Sequence, residues 1–163
     1  MVTEAHHETF FQRFDTAMES CWMLVPSGFF VPVLDKLSLD DSHWMNAEDA
    51  DQLTDADSIR YFRERLELSL DKRGVAYACA WLNNIRSTKV QSRYTSDFYS
   101  AEVSRWSGQP VSGGAFLLAA LILGFSIERV GRGDRRGTVN VNKQDVSRLR
   151  GKFNRHACVV LPH

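Results

Sequence analysis

The sequence contains few of the residues that cross-link or rigidify a small protein. Its 163 residues include only three cysteines and four prolines. Cys21, Cys79 and Cys158 are widely separated and each has apolar neighbours, which predicts buried, reduced thiols and not a disulfide framework. We therefore expect a reducing compartment and a fold held together by its hydrophobic core.

The sequence also lacks a long hydrophobic run. The longest run, Ala115 to Leu123, has nine residues, about half of the roughly 20 that a membrane helix requires. The N-terminal residues "MVTEAHHETFFQRF" have neither the basic flank nor the apolar stretch of a secretory signal. We therefore expect a cytoplasmic protein without a membrane interaction, in which the adhesion tripeptide Arg132-Gly133-Asp134 is coincidental.

No standard catalytic or metal-binding motif is present. The sequence has no P-loop, no HExxH, no paired CxxC and no GxSxG, so neither a metal nor a cofactor is predicted. Two weaker combinations leave a hydrolase-like enzyme of unknown class as a third hypothesis. These are His156 beside Cys158, and the cluster from Asp40 to His43. A structural cysteine is the competing interpretation of Cys158, and a protein without catalytic activity is favoured.

An ordinary share of core-forming residues is present. Hydrophobic residues make up 44% of the chain and charged residues 25%. A chain of this length can bury about two thirds of the surface that it exposes when unfolded. No internal repeat, low-complexity tract or linker divides it. We expect one globular domain over residues 1–163.

Hydrophobic periodicity predicts a helix-dominated α+β fold. The segment from about residue 113 to 123 is apolar all round, which predicts a buried central helix. After Gly124 the pattern alternates, which predicts a β-hairpin with its tip at residues 131–137. An amphipathic basic helix is expected after Asn142, followed by a short final strand within "ACVVLPH".

Another amphipathic helix is predicted in the N-terminal half, with Asp57 as its N-cap. Its apolar residues recur at spacings of three and four, so we expect them to form one stripe facing the core. Charged residues on the opposite side are expected to pair in solvent. The stripe consists of Ile59, Phe62, Leu66 and Leu70.

Charge is distributed in two poles. Residues 1–75 hold seven Lys/Arg and fifteen Asp/Glu, a net charge of −8, whereas residues 76–163 hold thirteen and five, a net charge of +8. The acidic N-terminal half and the basic C-terminal half either face each other within the fold or contact different partners.

The leading hypothesis concerns the densest positive charge. Arginine presents a planar fork that suits bidentate contacts with phosphate or carboxylate, although residues 131–152 lack the aromatic side chains of a single-strand groove. We predict a non-catalytic cytoplasmic protein that contacts nucleic acid or an acidic protein surface through an arginine-rich hairpin loop and the following helix. The candidate binding residues are Arg129, Arg132, Arg135, Arg136, Lys143, Arg148, Lys152 and Arg155.

The alternative hypothesis concerns the acidic segment 35–57, where eight Asp/Glu accompany one lysine. Spaced carboxylates can imitate a phosphate backbone. Under this hypothesis the protein is a small inhibitor or anti-defence protein that binds a nucleic-acid-handling protein. The candidate residues are Asp40, Asp41, Glu48, Asp49, Asp51 and Asp55.

Overall fold

The structure is a computed structural model that describes residues 4–32, 53–131 and 133–150, with side chains from residue 9 onward. Within these ranges the helices are α1 (Glu4–Ser20), α2 (Asp55–Leu70), α3 (Lys72–Leu82), α4 (Ser96–Ser107), α5 (Gly113–Ile122) and α6 (Lys143–Leu149). Two antiparallel strand pairs join β1 (Leu24–Val25) to β2 (Gly28–Phe29) and β3 (Ile127–Arg129) to β4 (Gly137–Val139). The predicted helix-dominated α+β class is confirmed, and the predicted final strand lies outside the described residues.

Helix α5 is the buried central helix, as its all-apolar sequence predicts. Ser112 caps its N terminus, because the Ser112 hydroxyl accepts the N–H of Ala115 at 3.1 Å. Every side chain from Ala115 to Ala120 is fully buried, and α1, α3 and α4 pack around the helix. The ring of Phe116 stacks on Tyr99 and meets Trp81 edge-on. An apolar surface on all sides is tolerated here because other elements cover all sides.

A tight hairpin that the sequence did not indicate links α1 to the core. Strands β1 and β2 pair across Pro26 and Ser27, with Gly28 at a φ of 119°. The N–H of Gly114, at the start of α5, donates to the Pro26 carbonyl at 2.9 Å. A Cβ at Gly114 would lie 1.9 Å from the Val25 carbonyl oxygen, so this close approach of two backbones requires glycine.

The predicted orientation of α2 is wrong. The residues of the predicted stripe are exposed: Ile59 by 70%, Phe62 by 54%, Leu66 by 59% and Leu70 by 72%. Tyr61 and Leu68 are buried in their place. The N-cap is Thr54, whose hydroxyl accepts the N–H of Asp57, and Asp57 lies buried in the first turn beside Arg60.

Polar anchors explain why the other face of α2 points inward. The Tyr61 hydroxyl donates to the Trp22 carbonyl at 2.5 Å. The guanidinium of Arg65 donates to the carbonyls of Cys21 and Leu24, both at 2.9 Å, and to that of Met18. The Met18 carbonyl belongs to the last turn of α1, where carbonyls lack intrahelical partners, and the carbonyls of Cys21, Trp22 and Leu24 lie in the segment that follows. Satisfying them determines the rotation of α2 more strongly than its apolar stripe does.

The C-terminal hairpin forms as predicted, and a further segment lies along it. Strand β4 pairs with β3 on one side. On its other side the N–H of Thr88 donates to the Asn140 carbonyl at 2.8 Å, and the N–H of Ser92 donates to the Val139 carbonyl at 2.9 Å. The chain from residue 86 to 92 is thereby held against the connection from β4 to α6.

Helix α6 begins where its sequence predicts. The side chain of Asn142 accepts the N–H groups of Gln144 and Asp145 and caps the helix. Val146 is buried and Leu149 is partly buried. None of the helices in the described ranges is long and apolar enough to cross a bilayer.

Candidate nucleic-acid interface

The structure divides the predicted basic residues between two locations. Arg135 and Arg136 precede β4 at the hairpin tip, whereas Lys143 and Arg148 belong to α6, which follows β4. The two pairs therefore lie at opposite ends of β4. Arg132, Lys152 and Arg155 lie outside the described residues.

Asp134 neutralises much of the positive charge at the hairpin tip. Its Oδ1 accepts the backbone N–H and the Nε of Arg136 at 2.9 and 3.0 Å, and its Oδ2 accepts Nη2 at 2.8 Å. These hydrogen bonds lower the pKa of Asp134 below its usual value. Arg129 donates from Nε to the Asp134 carbonyl and lies over the Phe29 ring. The aspartate of the Arg-Gly-Asp tripeptide thus organises its own loop.

Arg135 differs from its neighbours at the tip. Its backbone carbonyl accepts the N–H of Phe29 at 2.8 Å, which attaches the loop to β2. Its side chain is exposed and makes no hydrogen bond or ion pair within the part of the chain that the structure describes. Of the three tip arginines described, Arg135 is the one whose guanidinium has no hydrogen-bond or ion-pair partner among the described residues.

A buried carboxylate holds two exposed arginines beside α6. Oδ2 of Asp145 accepts the backbone N–H and the Nε of Arg86, both at 3.0 Å, and Oδ1 accepts Nη2 at 3.1 Å. Arg148 forms a second ion pair with Oδ1. The Asp145 side chain is 1% exposed, whereas those of Arg86 and Arg148 are 72% and 61% exposed. The hydrogen bonds from Arg86 lower the pKa of Asp145 from 3.8 to about 2.

A second buried carboxylate continues this arrangement on α4. Glu102 forms ion pairs with Arg105 and, at 3.5 Å, with Arg150. The side chain of Glu102 is 11% exposed, and those of the two arginines are about half exposed. Arg148 and Arg150 thereby connect the two acid-centred groups across the end of α6.

An exposed aromatic side chain, Tyr94, stacks on the ring that lies next to Arg150. The guanidinium of Arg150 lies 5.2 Å from the ring centre of Phe98. The Phe98 ring stacks on that of Tyr94 with centres 4.3 Å apart and an interplanar angle of 19°. Tyr94 is 42% exposed, so the Phe98 ring packs against one side of a tyrosine ring that solvent can reach.

We refer to this surface as the basic face. Its members share exposure to solvent and come from the segment 86–94, α4 and the region of α6. Asp145 and Glu102, the carboxylates that hold four of its arginines, are themselves buried. The basic face consists of Arg86, Lys89, Arg93, Tyr94, Arg105, Lys143, Arg148 and Arg150.

Sequence reasoning missed most of the basic face. Of its members only Lys143 and Arg148 were candidates. Arg86, Lys89, Arg93 and Tyr94 occur in the short segment "RSTKVQSRY", and the combination of cations with an aromatic residue was a usable signal. The contact of this segment with α6, through Arg86 and Asp145, follows from the pairing of residues 86–92 with the end of β4, which the sequence alone does not reveal.

Most residues of the other candidate sites lie outside the described residues. Asp55 lies exposed in the first turn of α2, and the remaining acidic candidates, Asp40, Asp41, Glu48, Asp49 and Asp51, lie outside the described residues. The same is true of His156, Cys158 and the cluster from Asp40 to His43. Among the described residues no group of three or more His, Cys, Asp or Glu side chains could hold a metal ion.

A cavity of about 240 Å³ lies between the ends of α3 and α5. No titratable side chain lines it, so it offers no acid, base or nucleophile. Its lining residues are Leu82, Asn83, Ile85, Ser87, Leu123, Gly124 and Phe125.

No family model, curated protein or solved structure matches this chain. Function is therefore argued from the site itself. The basic face is the arrangement that best combines accessible charge, fixed geometry and a stacking surface.

Proposed function

We propose that this protein is a non-catalytic binding protein that contacts single-stranded nucleic acid through the basic face. The observation that carries the proposal is the exposed ring of Tyr94, which stacks on Phe98, the ring over which the Arg150 guanidinium lies. Base stacking on such a ring is tolerant of sequence, and surrounding cations follow the phosphate backbone.

The fixed arginines support phosphate binding. Asp145 holds Arg86 through Nε and Nη2 and holds Arg148 through Nη2, so each guanidinium keeps nitrogen donors directed elsewhere. Arginine forks that are ordered before binding lose less side-chain freedom when they bind. The Asp145 carboxylate therefore orients both arginines while it is itself buried, and its single negative charge leaves the group with one net positive charge.

A single strand fits the basic face better than a duplex or an acidic protein. The bases of a single strand are free to stack on Tyr94, whereas those of a duplex are stacked on each other. An acidic protein would pair with the arginines but would gain little from the ring. We also propose a cytoplasmic location, since Cys21 and Cys79 are both free and buried, as expected in a reducing compartment.

Fluorescence anisotropy with a labelled single-stranded oligonucleotide tests the proposal. We expect Tyr94→Ala to weaken binding by about 5- to 160-fold with the salt dependence unchanged, because stacking contributes about 1–3 kcal/mol per base. Arg93→Ala is expected to reduce the slope of log affinity against log salt by about 0.7, the value for one phosphate contact on a single strand.

Two controls make the result specific. Arg135→Ala/Arg136→Ala removes two cations from the hairpin tip, and we expect it to leave binding unchanged. Tyr94→Phe keeps the ring and should bind like the wild type. Equal binding by Tyr94→Ala and the wild type, or equal competition by polyglutamate and by unlabelled oligonucleotide, would contradict the proposal.

A further inference from the structure

The most exposed apolar surface in the described residues lies on α2. Ile59, Phe62, Leu66 and Leu70, here called the α2 stripe, are each more than half exposed. They occupy the side of α2 that is opposite to Tyr61 and Leu68. Contiguous apolar side chains of this size on a protein surface mark an interaction site.

The spacing of the α2 stripe suits another helix. Its members follow one another at intervals of three, four and four residues, the spacing that aligns side chains along one face of a helix. The helix of 16 residues is roughly 24 Å long at 1.5 Å per residue. A helix of similar length laid along the stripe would cover all four side chains.

The charges beside the α2 stripe identify that helix as a second copy of α2. Arg63 and Glu67 are both exposed and lie one turn apart, next to Phe62 and Leu66. If a second α2 runs antiparallel about a twofold axis near residues 64 and 65, Arg63 of each copy faces Glu67 of the other. The exposed Asp55 at the start of the helix is then directed toward Arg73, which is exposed beyond the end of α2 in the other copy.

We propose that this protein forms a twofold-symmetric dimer in which two α2 stripes pack antiparallel. A twofold interface uses the same surface on both subunits, so that surface must be complementary to itself. The α2 stripe meets this condition in the spacing of its apolar residues and in the order of the charges beside it. The proposal is independent of the proposed function, because the basic face and the α2 stripe share no residue.

Sedimentation equilibrium of the full chain tests the interface. We expect the wild type to be a dimer at micromolar concentrations, and Phe62→Ala/Leu66→Ala to raise the dissociation constant by at least about 30-fold, as for central apolar residues of an interface. Leu68→Ala is not suitable as a control because Leu68 is buried in the fold. Arg13→Ala, on an exposed position of α1, is the matched surface control and should dimerise like the wild type.

A wild type with a dissociation constant above about 1 mM, a weak association of roughly 4 kcal/mol, would overturn the proposal. The α2 stripe would then be covered by residues 33–52 or by a different protein. A dimer that is unaffected by Phe62→Ala/Leu66→Ala would also overturn it, since the interface would lie elsewhere.

A charge exchange tests the antiparallel register. Arg63→Glu alone places glutamate opposite Glu67, and Glu67→Arg alone places arginine opposite Arg63. We expect each variant to dimerise roughly three- to tenfold more weakly than the wild type. Mixing the two variants creates opposite charges at both contacts and should restore wild-type affinity as a heterodimer.

The double variant Arg63→Glu/Glu67→Arg provides the second arm, because it should restore the homodimer. Both side chains are exposed, so circular dichroism is expected to show the wild-type helix content in every variant. If neither the mixture nor the double variant dimerises more tightly than the single variants, the proposed register is wrong.

Discussion

Asp145 binds Arg86 through both its backbone and its side chain, and thereby joins α6 to the segment after α3. One carboxylate oxygen accepts the N–H and the Nε of Arg86, and the other accepts Nη2. The two residues are 59 positions apart in the sequence. The buried carboxylate of Asp145 therefore holds α6 against the segment after α3 and also orients two arginines of the basic face.

We expect Asp145→Asn to lower the thermal stability at neutral pH, with a difference that shrinks in acid. The pKa of Asp145 is about 2 in the folded chain against an ordinary value of 3.8. Because the pKa of this carboxyl is lower in the folded than in the unfolded chain, its ionised form stabilises the folded protein at any pH above about 4. This contribution is lost as the pH falls from about 4 toward 2. Thermal unfolding followed by circular dichroism measures the difference.

The matched control for this pH dependence is Glu128→Gln, on an exposed position of β3. It should have a melting temperature close to that of the wild type at every pH. If the difference in melting temperature between Asp145→Asn and the wild type stays constant from pH 7 to about pH 2, the assigned role of the carboxylate is wrong.

Gly114→Ala is expected to destabilise the protein by at least about 2 kcal/mol, because a Cβ has no room there. The new atom would lie 1.9 Å from the Val25 carbonyl oxygen and would separate α5 from β1. Urea denaturation measures the free energy of unfolding. In the control Gly131→Ala nothing lies within 4 Å of the added Cβ, so the free energy of unfolding should change by less than about 0.5 kcal/mol. If both variants lose a similar amount of stability, the close approach of Gly114 to Val25 is wrong.

Arg65→Met should cost roughly 1.5–3 kcal/mol of unfolding free energy. Methionine keeps an apolar stem of similar length but leaves the carbonyls of Cys21 and Leu24 without their charged donor. Chemical denaturation is again the measurement. Arg13→Met on the exposed side of α1 is expected to stay within about 0.5 kcal/mol of the wild type, and an equally small effect of Arg65→Met would show that the anchor is not needed.

The thiol of Cys79 should be unreactive in the folded protein. Burial raises its pKa to about 12, and desolvation also raises that of Cys21, so little reactive thiolate exists at pH 8. In a Cys158→Ser background, we expect a chromogenic disulfide reagent to label both thiols in denaturant and neither of them rapidly in native buffer. Rapid stoichiometric labelling of the native protein would contradict the described burial.

The sequence predicts correctly those helices and strands whose formation depends on neighbouring residues. Helix α5 is apolar on all sides, and the change of period after Gly124 indicates the hairpin. Asn142 is a recognisable N-cap, and the structure confirms it. In each case the information lies within a few neighbouring residues.

The errors occur where distant contacts override the local pattern. The apolar stripe of α2 predicted its buried side, but Tyr61 and Arg65 turn the opposite side inward to reach carbonyls near the end of α1. The basic face escaped prediction for a similar reason, since Arg86 joins α6 only through Asp145. Periodicity contains no information about partners so far along the chain.

The bond between Phe29 and Arg135 has a consequence for the order of folding. In β2, the N–H of Phe29 donates to the Arg135 carbonyl, in the C-terminal half of the chain. A Cβ at Gly28 would lie 2.1 Å from the oxygen of the same carbonyl, so only glycine fits at that position. During synthesis from the N terminus, this edge of the first hairpin must wait until most of the chain has left the ribosome. Contacts between such distant residues form slowly. The acidic and basic halves therefore complete their folding together, and neither half is expected to reach its native structure when produced alone.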